Sequence, residues 1–233
     1  MRITKEQKQE YLQRFVGAVP LVIYPHDPYL HKCKPTFVES EIDLEYGLNQ
    51  IQNIQLNKQY KIIAGFKKAK LEDFIHFDWL MGGGGIPDLF NKCLVKKMQN
   101  ICPNDFIALP VILINLSDKI ASYENKDFYV VNALNTIDAI DREKSVIRYS
   151  FEGDKGRVIK RIYKEYPWQG HLIAFDTSIY NSMIYHPKLA KELYPSKQFQ
   201  FLTPEEDSYL HNWREPDHEQ NPKWKDRKWW KFK

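Results

Sequence analysis

The chain has 233 residues, 43% of them hydrophobic and 14% aromatic, with 34 basic and 30 acidic side chains and a net charge of +4. That apolar fraction can bury a substantial core and excludes an intrinsically disordered chain, and no run approaches the roughly 20 apolar residues of a membrane-crossing helix. Residues 221–233 hold six basic residues and one acid, a tail of +5, so the preceding residues total −1 and a general nucleic-acid binder is not indicated.

Thr4 and Gln7 make a capping-box pattern, and Tyr11, Leu12, Phe15 and Val16 recur at helical spacing, so a helix is predicted over residues 5–16, ended by Gly17 and Pro20. The absence of an apolar signal core from this charged start, with Cys33, Cys93 and Cys102 forming no CxxC pair, fits a soluble protein of a reducing cytoplasm. PLVIYPHDPYLHKCKP reads as an extended, proline-punctuated segment. Over residues 37–46, FVESEIDLEY alternates strictly. As one strand it places Val38, Ser40, Ile42, Leu44 and Tyr46 on one side and a carboxylate ladder of Glu39, Glu41, Asp43 and Glu45 on the other.

QYKIIAGF at residues 59–66 is a second candidate strand, and LEDFIHFDWL then leads into the glycine run at residues 82–85. That run has no Lys-Ser/Thr ending and does not complete GxGxxG, so it reads as a loop rather than a phosphate cradle. A helix is predicted over residues 87–102, with Pro87 in its first turn and Leu89, Phe90, Cys93, Leu94, Lys97, Met98 and Ile101 spaced for one buried stripe. ALPVILINL and FYVVNALN are β-branched and aromatic runs joined by SDKIASYENKD. SVIRYSF, EGDKG and RVIKRIYKEY read as strand, turn and strand, and HLIAFD as a further strand. SIYNSMIYHPKLAKELY reads as helical on both sides of Pro187, and FQFLTPEE as a last strand.

These elements describe a single α+β domain with a mixed, largely antiparallel sheet and flanking helices. Residues 1–60 form an N-terminal helix with an extended, acidic-strand extension, residues 61–206 the α+β core, and residues 207–233 a polar, then basic-aromatic tail.

Four motifs bear on function, each with a plain alternative. The acidic ladder suits docking against a basic surface, or is a solvated edge strand whose charges discourage pairing. His76 and Asp78 could share a strand face as two metal ligands, or be a hydrogen-bonded pair beside Trp79. Asp138 and Asp141, in TIDAIDREKS, could divide acid and base work; as structure Thr136 or Asp138 caps a helical turn, Asp141 pairs with Arg142 or Lys144, and Ser145 ends it. In the tail, Trp224, Trp229, Trp230 and Phe232 alternate with cations, a pattern that stacks bases, sits at a membrane surface, meets an acidic protein or folds back. No GxSxG, HExxH or catalytic-cysteine motif occurs, so no catalytic residue, metal or cofactor is assigned.

Phe77-Asp78-Trp79, the strand start Ala108-Leu109-Pro110-Val111, Tyr129-Val130-Val131-Asn132, and Ile137-Asp138-Ala139-Ile140-Asp141 through Ser145 follow one another in an order that resembles the immunity protein eleven family of bacterial polymorphic toxin systems. HPKLAKELYPSKQFQFLTPEE resembles that family's closing helix and short aromatic strand, and the likeness spans residues 62–205. The resemblance implies a non-catalytic protein that neutralises a cognate toxin encoded nearby, with Asp78, Trp79, Asn132, Asp138 and Asp141 as structural motif positions. The segment before Tyr60, the glycine run and the tail depart from the family pattern, and variable parts of this kind are where partner selectivity is expected. The leading expectation is therefore a toxin-binding protein using Glu39, Glu41, Asp43 and Glu45, then Trp224, Trp229 and Trp230. The alternative is a nucleic-acid or anionic-surface module acting through the tail.

Overall fold

The computed structural model describes residues 5–13, 15, 17–25, 35–41, 59–67, 71–82, 88–116, 124–148, 157–160, 162–176, 182–193, 196, 198–203 and 206. In chain order the elements are α1 (Lys5–Gln13), β1 (Val22–Pro25), β2 (Thr36–Ser40), β3 (Ile62–Phe66), a 3₁₀ turn (Leu71–Asp73), β4 (Trp79–Leu80), β5 (Leu89–Asn91), α2 (Lys92–Ile101), β6 (Phe106–Asn115) and β7 (Glu124–Ala133). They continue with β8 (Thr136–Ile137), β9 (Val146–Arg148), β10 (Arg157–Lys160), β11 (Ile173–Asp176), β12 (Ser182–Tyr185), α3 (Pro187–Leu193) and β13 (Phe199–Leu202).

A six-stranded sheet in the order β2-β3-β6-β7-β5-β4 forms the centre, beside a three-stranded sheet β12-β11-β8 and the pairs β1-β13 and β9-β10. All pairings are antiparallel except β3 with β6 and β8 with β11, so the architecture is mixed α+β and mostly antiparallel. β6 and β7 follow from their β-branched, alternating composition, and their register sets Phe106 opposite Ala133 and Leu109 opposite Val130. One face of the sheet gathers Leu109, Val111, Leu113, Phe128 and Val130 with Ile62, Ala64 and Phe66. Leu71 and Phe74 close over it, with the Phe74 ring stacked on Phe66 at 4.9 Å. Asn115 Oδ1 accepts the Leu71 N–H at 2.7 Å and so fixes the covering turn.

The opposite face gathers Phe106, Val131 and Ala133 under Leu94, Val95 and Met98 of α2 and Leu189, Ala190 and Leu193 of α3. Aromatic rings run through this second core from Trp79 to Phe199, Phe201 and Tyr185, with centroids 5.5 to 5.7 Å apart in edge-on or tilted pairs. Such pairs contribute about 0.5–1.5 kcal/mol each beyond simple burial. The N-terminal part joins the same core: Phe15 is buried there, and Leu21 and Tyr185 exchange two backbone hydrogen bonds at 2.9 and 2.8 Å. No helix among the described residues is long and apolar enough to cross a membrane.

Several expectations need correcting. The opening helix stops at Gln13, and Gly17 takes a positive φ of 72° that turns the chain so that Phe15 enters the core. The helix expected over residues 87–102 is a strand followed by a shorter helix. Leu89 and Phe90 face opposite cores, as a period of two requires, and the Asn91 side chain caps α2 by accepting the Leu94 N–H at 2.9 Å. Cys93 and Lys97 are consequently exposed, and the buried stripe is Leu94, Val95 and Met98. Residues 182–185 form β12 rather than a helix, because pairing with β11 satisfies their backbone and helix begins only at Pro187.

Gly65 lies where the sheet leaves no space for a side chain. A Cβ there would sit 2.5 Å from Leu116 Cγ and 3.0 Å from the Ile114 carbonyl oxygen. Gly65→Ala is therefore expected to destabilise the fold by about 1–3 kcal/mol in denaturant unfolding, as overpacked cores do. An unchanged midpoint would show that Leu116 moves aside freely.

Candidate functional site

β2 lies at one end of the central sheet, and among the described residues it pairs with β3 alone. The register places Phe37 opposite Ala64 and Glu39 opposite Ile63, so Val38 is an extra residue and the strand carries a bulge. This breaks the strict alternation expected over residues 37–46. The strand ends at Ser40, and Asp43 and Glu45 lie outside the described residues. Val38, Glu39, Ser40 and Glu41 are all exposed.

Lys61, which the sequence did not single out, organises the first half of the ladder. Its ammonium lies 3.1 Å from Glu39, its backbone N–H donates to Glu41 Oε2 at 3.1 Å, and its carbonyl accepts the Glu41 N–H at 3.1 Å. Both side chains of the Lys61–Glu39 pair are about half exposed, at 51% and 52%, so the pair adds little stability. The ammonium places the Glu39 carboxylate and the Lys61 backbone N–H places that of Glu41.

The other motif positions serve as ties within the fold. Asp78 precedes β4: its carboxylate accepts the Ser196 hydroxyl at 2.9 Å, and its N–H donates to Gln198 Oε1 at 3.1 Å. Together with Trp79 packed on Phe199, this binds β4 to β13. His76 is an exposed turn residue, so the pair does not share a strand face. Among the described residues no group of three or more His, Cys, Asp or Glu side chains could hold a metal ion. Asn132 is buried on β7 and donates to the Ala133 carbonyl at 3.1 Å.

TIDAIDREKS runs through β8 into a bridge between Ile140 and Tyr163, and only residues 141–145 make a single helical turn, closed by the Ser145 N–H to the Asp141 carbonyl at 2.9 Å and capped by the Asp141 side chain. Asp138 pairs with Lys164 at 2.9 Å. Asp141 accepts the Glu143 and Lys144 N–H groups at 3.2 Å each and pairs with the Lys144 ammonium at 3.1 Å. Those hydrogen bonds from Lys144 hold its carboxyl below the usual carboxylate range. The Ser145 hydroxyl donates to the Ile162 carbonyl and accepts its N–H, at 3.1 and 3.0 Å, standing in for a strand partner. Trp224, Trp229 and Trp230 lie outside the described residues.

A cleft of about 320 Å³ opens between the end of α2, Asp105 and the turn at Gly170, with Lys188 among its lining residues. Asp105 is buried, and its two oxygens are engaged by His171 Nδ1 at 3.0 Å and the Leu172 N–H at 2.6 Å. A carboxylate only accepts, so the His171 proton sits on Nδ1. The turn that presents His171 has positive φ at Gln169 (49°) and Gly170 (92°) and is closed by the His171 N–H to the Trp168 carbonyl at 2.8 Å. Cys102 adjoins this pair, but its Sγ donates to the Met98 carbonyl, and burial, then the Asp105 charge, push the thiol up to about 12. A thiol so held is not a nucleophile at neutral pH. Asp105 and His171 are too far apart in the chain for spacing to have paired them.

No protein-family model matches this chain, and no curated protein matches it.

Thiol chemistry separates the two described cysteines. At pH 8 an alkylating reagent should modify the exposed Cys93 and leave Cys102 intact until the protein unfolds. The folded thiol ionises near 12 and the unfolded one near 9, so the unfolded state holds fewer protons between these values and Cys102's contribution to stability falls as pH rises through that window. Equal labelling of both thiols in the folded protein would contradict the assignment.

Proposed function

We propose that this chain is a non-catalytic immunity protein that binds a cognate bacterial toxin, encoded nearby, and neutralises it. The observation that carries this reading is the acidic run at β2: Glu39 and Glu41 are both exposed, Glu39 pairs with the Lys61 ammonium and Glu41 accepts the Lys61 backbone N–H. Asp43 and Glu45 extend the negative run in sequence. A toxin that grips a phosphate-bearing substrate presents a basic cleft, and a fixed row of carboxylates meets such a surface with complementary charge. That complementarity speeds encounter and rejects acidic partners.

The motif order Phe77-Asp78-Trp79 to Ser145 supports the same reading, since it resembles a family of toxin-neutralising proteins. In this reading the ties made by Asp78, Asp138 and Asp141 serve the scaffold, and the strand at its edge serves recognition.

The test is kinetic. Association with the polypeptide encoded beside this gene should slow at least about tenfold at low salt in the Glu39→Lys/Glu41→Lys double variant, and lose most of its salt dependence. Lys61→Ala removes the opposing cation and should raise the rate by about twofold or more. Rates unchanged by both variants would remove β2 from the interface.

A further inference from the structure

We infer that α2 and α3 together form a basic surface that binds double-stranded nucleic acid by its phosphates. This surface is separate from β2 and goes beyond the immunity reading without resting on it. The two helices touch and lie over the same core, so their outward sides form one surface. Lys92, Lys96 and Lys97 of α2 and Lys188 and Lys191 of α3 are all exposed there, against one acid, Glu192. The near-neutral sum of the chain before its tail conceals this concentration, because acids such as Glu39, Glu41, Asp43 and Glu45 offset it from another part of the sequence.

These lysines differ from others on the protein. Lys61, Lys144 and Lys164 each pair with a carboxylate, those of Glu39, Asp141 and Asp138. Among the described residues none of the five helix lysines has an ion-pair partner. Their placement also works against the helices. Lys92 and Lys188 stand in first turns that hold no acid, where the helix dipole disfavours a cation, and Lys92 repels Lys96 one turn on. Burial, then the charges of Lys188 and Lys191, holds His186 below the usual histidine range, so a neighbouring side chain feels the positive potential.

The composition of the surface selects its occupant. The remaining exposed residues of α2 are Cys93, Gln99 and Asn100, so the helix offers neither a large apolar nor an aromatic side chain to a partner. A helix lying on a membrane needs an apolar face to hold it, and single strands need rings on which their bases stack. Protein interfaces are depleted in lysine. Flexible lysines on a helical layer suit a duplex backbone, where each neutralised phosphate releases a bound counterion and no base is read.

Fluorescence anisotropy with the full chain and labelled DNA and RNA duplexes of about 20 base pairs, over about 50 to 200 mM salt, tests this. The intact protein should bind at least one duplex. Replacing all five lysines by Gln should weaken that binding at least about tenfold at the lowest salt and flatten the slope of log K against log salt by about four. Lys144→Gln, outside the surface, should change the slope by no more than about one. The five substitutions remove repulsion at exposed positions, so the variant should melt with the parent. If it does not, Lys92→Gln/Lys96→Gln decides, with an expected flattening of about two. No binding to either duplex overturns the inference, whether or not the protein binds phosphatidylserine vesicles. Binding that the substitutions leave unchanged overturns it too, and transfers the activity to the basic residues of 221–233.

Discussion

The register between β6 and β7 is the constraint on which the rest of the molecule depends. Side chains alternate across a sheet with a period of two, so this one pairing assigns Leu109, Val111 and Val130 to one core and Phe106, Val131 and Ala133 to the other. A slip of one residue would exchange the two sets, placing residues shaped for the aromatic turn at Phe74 beneath α2. The irregularity between Val111 and Leu113 adds to this specificity, because a bulge pins the strands on either side of it. With the register set, β3 adds on one side and β5 on the other, and each brings its own terminal strand, β2 or β4.

Polar side chains in the interior act mainly as fasteners between distant parts of the chain. Asn115 holds the 3₁₀ turn, Asp78 and Ser196 join β4 to the approach to β13, and Asp105 holds the turn that carries His171. Each closes a long loop with a charged or buried hydrogen bond, a contact that costs more to break than to leave in place. The exposed edge at β2 differs. There Glu39 pairs with the half-exposed Lys61, and both Glu39 and Glu41 face solvent instead of closing the fold.

Much of the fold was legible in the residues because local composition and burial agree. β6, β7, β11 and β13 coincide with runs rich in β-branched or aromatic residues, and the α+β class follows from them. The errors have local causes. IYNSMIY offers no strict alternation, because β12 is a short strand that relies on β11 and on Leu21 for its backbone partners. Leu89 and Phe90 fit a helical pattern because a buried strand leading straight into an amphipathic helix has no gap to mark the change; Asn91, which caps the helix, is the available signal. At the candidate site the acidic run was visible and the bulge was not, since a bulge is a property of two strands together. Lys61 was equally invisible, because its role depends on β2 and β3 lying side by side.

The central claim is that this chain protects against a toxin by binding it. Co-expression with the polypeptide encoded beside its gene tests this most directly, reading growth and co-purification in the same cells. The account predicts that the neighbour alone arrests growth, that this chain restores it, and that the two purify as one complex. Continued arrest in the presence of well-folded protein, with no complex recovered, would contradict it.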